Sequence, residues 1–376
     1  MTPETMQSPT ADAVDSQTLQ VEESRDFRAY HAFLREARKY METPVYEEMY
    51  RAYRRAVEGP GKRTPRTVNE AFAVMDTLPE FKLYCWLFRN LQRFKYSKND
   101  LGIVGTVRAQ GDRISAAIDA AAADAGDELR LNPELLLPTY YSLVDFHQHP
   151  GGVWQEDVDG MIYDVARRTT LPSHMDPNGL YRLIFSHFPR REYARVLDWG
   201  TGHGAGLLTW HEGHPESELH GVDLSAPCLK YAHLRAREAG VRVVFTQQDF
   251  EHLDYPDNSF DAIFFVFMLH EIPPQHSEAC IREAHRVLTP GGVMGGMELT
   301  LVPGEPFQNA VQLTDGWLNN EPYMATTLYT DYRGLAEKIG FSQVSVEPFR
   351  ALMNAVPKVS VGIPPKMRWD MMLFTK

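Results

Sequence analysis

The feature that most constrains this chain is a series of short apolar segments, each ending in a polar residue and each followed by a helical stretch. Ala194–Leu197 leads into Asp198 and a glycine cluster, Glu218–Val222 leads into Asp223, and Arg242–Thr246 is followed by Asp249. Ala262–Phe267 is nearly continuous apolar, as a strand covered on both faces must be. After a helical stretch from Ser277 to Leu288, the turn Pro290-Gly291-Gly292 opens into Val293–Leu299, and Gln343–Val346 and Asp370–Phe374 are two further strand candidates. Strands alternating with helices predict an α/β fold with a doubly wound parallel sheet. In such sheets ligands bind outside the carboxyl ends of the strands, where the strand order reverses.

Upstream the period is helical. From Arg25 to Arg66, 11 Lys and Arg stand against 6 Asp and Glu. Phe27, Tyr30, Phe33, Ala37 and Tyr40 recur every three to four residues, Pro44 interrupts, and Tyr46, Met49, Tyr50, Tyr53 and Val57 resume the pattern. That spacing predicts two amphipathic helices, with the arginines on a solvated face. Pro60, Gly61 and Pro65 mark a loop, and Ile114–Ala123 is alanine-rich and helical. Phe81–Phe94 is apolar nearly all round, as a buried helix would be. At roughly 150 residues per domain, 376 residues suggest about two domains. The expected division is a disordered acidic tail over 1–24, an all-helical domain over 25–155 and the α/β domain over 156–376.

The turn after the first strand reads Asp198-Trp199-Gly200-Thr201-Gly202-His203-Gly204-Ala205-Gly206. Its glycines permit positive φ and a close approach of backbone to ligand. Gly200-x-Gly202-x-x-Ala205, with Asp223 near the distance for a ribose-binding acid, also satisfies a relaxed dinucleotide fingerprint. Asp198 separates the two readings. A dinucleotide would bring an anionic pyrophosphate to this turn, and an adjacent carboxylate repels it. A ligand carrying a cationic ammonium is favoured instead, and S-adenosyl-L-methionine has both an α-ammonium and a sulfonium. Asp223 then suits the ribose hydroxyls, since an ionised carboxylate can accept two hydrogen bonds. Asp249 suits the adenine amino group, with Phe250 beside it for packing.

These segments resemble class I S-adenosylmethionine-dependent methyltransferases of the small-molecule type. The residues that carry the resemblance are Val196-Leu197-Asp198-Trp199-Gly200-Thr201-Gly202-His203-Gly204, Gly221-Val222-Asp223-Leu224-Ser225 and Gln248-Asp249-Phe250. Phe260-Asp261-Ala262-Ile263 and Glu283-Ala284-His285-Arg286-Val287-Leu288-Thr289-Pro290-Gly291-Gly292 complete five motifs in order over residues 160–376. The resemblance implies a Rossmann-like seven-stranded sheet whose last-inserted strand is antiparallel. It implies that Tyr163, on a helix predicted over Asp157–Arg168, closes over the methionine end of the cofactor. The implied cofactor set is Tyr163, Asp198, Gly200, Thr201, Gly202, Gly204, Asp223, Leu224, Asp249, Phe250 and Phe267. Trp199 is bulkier than the aliphatic residue usual at its position.

Methyl transfer is an in-line displacement, so an enzyme of this kind mainly holds an acceptor lone pair in line with the methyl group. A carboxylate or thioether needs no base, whereas an amine or hydroxyl must lose a proton. Met268-Leu269-His270-Glu271-Ile272-Pro273 follows the fourth strand, where the acceptor meets the methyl group in related enzymes, so His270 and Glu271 are base candidates, with His147 a third. Tyr140-Tyr141 and Phe146-His147-Gln148-His149-Pro150-Gly151-Gly152-Val153-Trp154 combine aromatics, two histidines and a flexible glycine pair. They are read as a lid or pocket wall in which Tyr140, Tyr141, His147 and His149 meet the acceptor. In Asn319-Asn320-Glu321-Pro322-Tyr323, Glu321 is read as holding a cationic group and Tyr323 as stacking. Each segment also has a plain structural reading: a packing Tyr163, a loop-bonding His270, an interdomain linker over 140–154, an exposed loop over 319–323. His147 and His149 lack a third ligand at metal spacing, and no metal is expected.

The net charge of −12 repels a phosphate backbone, and the Asn/Asp-Pro-Pro-aromatic motif of DNA and protein amide-nitrogen methyltransferases is absent, so no nucleic-acid partner is expected. The longest apolar run, the eight residues Ala262–Leu269, is far below the ~20 needed to span a bilayer. Residues 1–24 hold five acids and no Lys or Arg, unlike a secretory signal. Three widely spaced cysteines, Cys85, Cys228 and Cys280, argue against a disulfide framework, and a cytoplasmic location is expected. The leading expectation is methyl transfer to an O, N or S atom of a small molecule held between the helical domain and the strand ends, with the helical domain as substrate lid and as the surface for any homodimer. The alternatives are a protein or RNA methyltransferase docking through Arg54, Arg55, Lys62 and Arg63, a dinucleotide-dependent oxidoreductase, and a protein that binds the cofactor without transferring.

Overall fold

A computed structural model describes residues 19–170, 176, 178–349, 360, 362–364 and 366–376, apart from the side chains of Thr170 and Thr326. Ser24 opens the first helix by accepting a hydrogen bond from the Phe27 amide at 3.0 Å, and α1 runs over Arg25–Tyr40. Pro44 does not break the helical path. Met41–Val45 forms a π-helical stretch that leads directly into α2 (Tyr46–Val57), a widened turn of the kind that takes up a missing N–H. α3 (Val68–Met75), α4 (Pro79–Lys95), α5 (Ile103–Arg108) and α6 (Gly111–Ala123) follow.

Two expectations for this region are corrected. Of the disordered tail expected over 1–24, residues 19–24 are packed: the Leu19 amide donates to Glu238 at 2.7 Å, and Val21 is buried in one core cluster with Phe27. Residues 1–18 lie outside the described residues. The helix expected to be buried all round is buried on one face only. Phe81, Tyr84 and Phe88 point inward, whereas Leu83, Trp86 and Phe94 are 50%, 60% and 44% exposed.

The chain continues through β1 (Leu129–Arg130), α7 (Thr139–Ser142), α8 (Asp159–Thr170) and α9 (Gly179–Phe185). β2 (Arg195–Trp199), α10 (Ala205–Gly213), β3 (Glu218–Asp223), α11 (Ala226–Glu238) and β4 (Val243–Gln247) come next, then β5 (Phe260–Val266), α12 (Pro274–Val287) and β6 (Leu288–Leu299). α13 (Pro306–Leu318), α14 (Met324–Tyr329), α15 (Tyr332–Ile339), β7 (Gln343–Pro348) and β8 (Trp369–Thr375) complete it.

The sheet has eight strands in the order β1-β4-β3-β2-β5-β6-β8-β7. β8 lies antiparallel between β6 and β7, and the other pairings are parallel. The expected inserted antiparallel strand is there, but the count of seven is corrected to eight. β1 pairs with β4 through Leu129 and Arg130 alone, too short a run to show a period of two, and it lies inside the stretch expected to be all-helical. The helical part shares its cores with the sheet domain. Ile103, Val107, Ile114 and Ile118 pack with Met161, Ile162 and Tyr231, while Tyr46, Met49 and Tyr84 pack with Phe307 and Val311. The strand order reverses at β2, whose neighbours are β3 and β5, so the ends of these three strands form the switch point. Among the described residues no helix is long and apolar enough to cross a membrane.

Candidate active site

A cavity of about 760 Å³, counting its open mouth, lies over that switch point. Gly200, Gly202, Asp223 and Leu224 line it from the ends of β2 and β3, and Tyr163 from α8. Phe250 enters after β4, and Phe267, Met268 and Glu271 after β5. Tyr140, Tyr141, Phe146, His147 and Val153 close it from the segment between β1 and α8. Four of the five described non-glycine residues with positive φ are in or beside this cavity: His147 (56°), Gln148 (66°), Phe267 (55°) and Asn320 (59°). Such conformations persist only where surrounding contacts enforce them, and they concentrate at functional sites.

The sheet side of the cavity is built from backbone. The amides of Gly200 and Thr201 donate to the Val222 carbonyl at 3.1 and 3.0 Å, folding the glycine turn onto β3. Gly200 has φ +80°, and a Cβ there would stand 2.9 Å from Met268 Cγ; at Gly202, with φ +49°, it would stand 3.2 Å from Tyr163 Cε1. Asp223 accepts from the Gly202 amide at 2.8 Å and from the Ser225 amide at 2.9 Å, one bond to each carboxylate oxygen. Burial raises its pKa to about 6, against those backbone bonds. The turn thus presents close-approach backbone and a fixed carboxylate, a surface that fits the ribose and methionine ends of S-adenosylmethionine. Asp223 would hold the ribose, Leu224 and Phe250 would flank the adenine, and Tyr163 would cover the methionine end.

Several expected cofactor residues support the turn from behind. Asp198 is buried with its Oδ2 accepting from the Thr201 hydroxyl at 2.9 Å, and burial raises its carboxyl to about 8. It is not among the cavity-lining residues, and this bond braces the loop from behind. Gly204, with φ +76°, starts α10. Asp249 lies outside the lining and accepts from the Glu251 amide at 3.0 Å. Trp199 is wholly buried and meets Phe250 edge-on at 5.5 Å, so its bulk goes into the core and not into the cavity.

The opposite side is built from charged side chains. His147 Nε2 lies 3.0 Å from Glu271 Oε1, and its Nδ1 lies 2.8 Å from Glu321 Oε1. Burial opposes its charge, yet the two carboxylates prevail and push its pKa to about 10. His147 is therefore an imidazolium with both N–H groups in use, which removes it as a base and removes Glu321 as an open cation site. Gln92 on α4 donates to the His147 carbonyl at 3.3 Å and to Asn319 Oδ1 at 2.8 Å, while Arg89 donates to the Leu318 carbonyl at 2.9 Å. α4 thus ties the segment at His147 to the end of α13.

His149 is corrected as an acceptor residue: it is buried, 3.3 Å from Asp159 and stacked on Tyr96, and does not line the cavity. Tyr323 meets Tyr140 edge-on at 6.1 Å at the rim. His270 is also buried and, unlike its neighbours Met268 and Glu271, is not among the cavity-lining residues; its Nδ1 lies 2.8 Å from Glu298 Oε1. Glu298 is fully buried at the end of β6 and accepts further bonds from the backbone amides of His270 and Leu299 at 3.3 and 2.8 Å. Burial disfavours a charged His270, but Glu298, with Glu321 and Glu271 beyond it, outweighs burial and raises its pKa to about 9. Sequence reasoning misses Glu298, though a lone carboxylate at the end of the apolar run Val293–Leu299 is a recognisable signal. Among the described residues no group of three or more His, Cys, Asp or Glu is arranged to hold a metal ion.

Comparison with known proteins identifies the family of the domain that carries this cavity. A family model described as a methyltransferase domain matches residues 196–292. The chain is 34% identical over 113 residues to the demethylmenaquinone methyltransferase of Thermus thermophilus, spanning half of that protein's length and 30% of its own. It is 36% identical over 117 residues to the 27-O-demethylrifamycin SV methyltransferase of Amycolatopsis mediterranei, 42% of that protein and 31% of this one. It is 31% identical over 207 residues to the ubiquinone/menaquinone biosynthesis C-methyltransferase UbiE of Ectopseudomonas mendocina, 78% of that protein and 52% of this one. A solved phosphoethanolamine N-methyltransferase 2 from Haemonchus contortus, at 20% identity and a TM-score of 0.46, covers 65% of this chain and 61% of its own. The sheet and its glycine turn are those of a cofactor-binding methyltransferase domain. The chain belongs to the class I S-adenosylmethionine-dependent methyltransferases, and S-adenosylmethionine is its cofactor.

Proposed function

We propose that the protein methylates a small molecule bearing an acidic hydroxyl, phenolic or enolic, and that His270 removes the hydroxyl proton. The observation that carries this reading is the 2.8 Å contact between His270 Nδ1 and the buried Glu298. In neutral His270 the Nδ1 proton is committed to Glu298, which leaves Nε2 as the lone pair for an acceptor. A base of pKa about 9 is well matched to a phenol, whose pKa is about 10 for tyrosine, and poorly matched to an aliphatic alcohol. S-adenosylmethionine supplies a methyl group on a cationic sulfur. With the cofactor bound, His270 Nε2 would take the acceptor's O–H proton. The acceptor oxygen would form its bond to the methyl carbon as the S–CH3 bond breaks, the pair staying on sulfur to leave the neutral thioether S-adenosylhomocysteine; Glu298 would stabilise the imidazolium that results. Tyr140, Tyr141, Phe146 and Phe267 offer an aromatic wall for such an acceptor.

A second reading places the new bond on carbon. The same proton loss makes the ring carbon ortho to an oxyanion nucleophilic, and UbiE is named as a C-methyltransferase. The mass and NMR spectrum of the product distinguish the two. The general-base proposal is tested by the pH profile: turnover should rise about tenfold per pH unit through neutrality and level near pH 9. Glu298→Gln should lower the plateau and move the rising limb to lower pH, because a neutral partner no longer holds the imidazolium. A flat profile would exclude His270 as the base.

We further propose that the helical region, residues 25–155, serves as lid and as a homodimer surface in a cytoplasmic protein. α1 and α4 lie antiparallel, with Tyr30 bonded to the Phe94 carbonyl and Arg38 over the Phe88 ring. They expose Phe33 and Tyr40 on one helix and Leu83, Trp86 and Phe94 on the other, a two-helix ridge suited to a two-fold contact with a second copy. Three free cysteines fit a reducing compartment. Trp86→Glu should convert a dimer to a monomer in sedimentation analysis; a wild type that sediments as a monomer would dispose of the dimer.

A further inference from the structure

The segment between β1 and α8 that closes the active-site cavity has a small core of its own. Tyr140, Tyr141 and Phe146 pack with Leu224, and Val153 and Trp154 lie against them. Leu224 sits between Asp223 and Ser225 in the loop after β3, and each residue of that loop holds something. Asp223 is the carboxylate suited to the cofactor ribose. The Leu224 carbonyl accepts from Gln247 Nε2 at 2.9 Å, and Gln247 Oε1 accepts from the Asn132 amide at 3.1 Å, at the start of the segment. Ser225 is wholly buried and makes three bonds. Its amide donates to Asp223 Oδ1 at 2.9 Å, and its Oγ caps α11 by accepting from the Cys228 amide at 3.0 Å. Its hydroxyl donates to the Val153 carbonyl, at the end of the segment. Residues 132–153 are thus fastened at both ends to one loop, while their middle, at His147, is held by Glu271 and Glu321.

We propose that Ser225 and Gln247 are positioning residues, which transmit occupation of the ribose site to the wall of the acceptor pocket. Ribose hydroxyls bonded to Asp223 favour the loop shape in which Asp223, Leu224 and Ser225 all keep their partners, because a ligand stabilises the conformation it binds best. The same shape sets Tyr140, Tyr141, Phe146 and Val153 around the cavity. Seating the cofactor therefore orders the acceptor pocket. Neither Ser225 nor Gln247 lines the cavity, so this role holds whichever acceptor atom receives the methyl group.

Amide hydrogen exchange of the full chain, read by mass spectrometry with and without S-adenosylhomocysteine, tests this without turnover. In the wild type the saturating ligand should slow exchange across residues 139–154 by about tenfold or more, since exchange reports local opening. Ser225→Ala keeps the amide that holds Asp223, so its affinity for S-adenosylhomocysteine by calorimetry should stay within about threefold of the wild type. At saturation, however, the ligand should slow its exchange over residues 149–154 by less than about twofold. Gln247→Leu should spare that end and lose the ligand-dependent protection over residues 132–141 instead. If Ser225→Ala does not fold, Gln247→Leu carries the test at its own end. A wild type without ligand-dependent protection would overturn the proposal with no variant needed. So would equal protection in the wild type and both variants. A folded variant that no longer binds S-adenosylhomocysteine would also overturn it, making its residue a support of the ribose site itself.

Discussion

The two sides of the active-site cavity are made of different materials. On the sheet side the recognition surface is main chain: glycine amides folded onto the Val222 carbonyl and a single carboxylate, Asp223, tied down by two backbone N–H groups. Around the segments that follow β1, β5 and α13 it is a lattice of charges, with His147 between Glu271 and Glu321 and His270 against Glu298 of β6. The first arrangement is suited to a ligand common to a whole family, since a backbone cradle tolerates change in every side chain except the glycines. The second is suited to a ligand particular to this protein, since each charge depends on its partners. The comparison predicts that damage on the two sides will separate into turnover and cofactor affinity.

The largest effect is expected at His270. His270→Ala should lower turnover by about 10²–10⁴, the usual worth of a positioned general base, while cofactor affinity by calorimetry stays within about twofold of the wild type. An equal fall in cofactor affinity would mean that the lid side also builds the cofactor site, and the division would fail.

On the sheet side, Asp223→Ala should cost about 1.5–3 kcal/mol of cofactor binding, the range for hydrogen bonds to a charged group. Turnover at saturating cofactor should stay near the wild-type value. Gly200→Ala should produce a smaller loss of the same kind. Its φ of +80° and a Cβ 2.9 Å from Met268 Cγ strain the turn by about 1–3 kcal/mol, part of which Met268 relieves by changing rotamer. A Gly200→Ala variant that binds cofactor normally but turns over slowly would show that the turn positions the acceptor instead.

The same contrast explains what could be read from the sequence. Backbone requirements are local: Gly200, Gly202 and Asp223 are found from neighbouring letters, and all three line the cavity. Charge lattices are not local. Gln92 meets Asn319 across 227 positions, and His147 meets Glu321 from the other end of the chain. The sequence offers His147 and Glu321 as separate candidates but nothing in it pairs them, and Gln92 and Asn319 alone read as ordinary polar groups. Asp198 shows the same limit: the letters give its sign, which suits an ammonium, but not the bond its carboxyl accepts from Thr201 within the turn. On α4, composition suggested burial on every side, while the packing of α1 and α13 covers only one face and leaves Leu83 and Trp86 outside.

The smallest expected effect is also the one that tests the lid lattice most directly. His147 has a pKa of about 10 in the folded protein and about 6.5 in an unfolded chain. A pKa raised by folding means that the charged form is favoured by the fold, so this contribution to stability is fully present below about pH 6.5 and declines as pH rises toward 10. The wild type should therefore lose melting temperature between pH 6.5 and 10 more steeply than His147→Gln. Glutamine can still donate one hydrogen bond to a carboxylate, but it carries no charge to lose. Parallel curves for the two proteins would mean that the lid is held by Gln92 and Arg89 alone, and that the charges around His147 belong to acceptor recognition and not to closure.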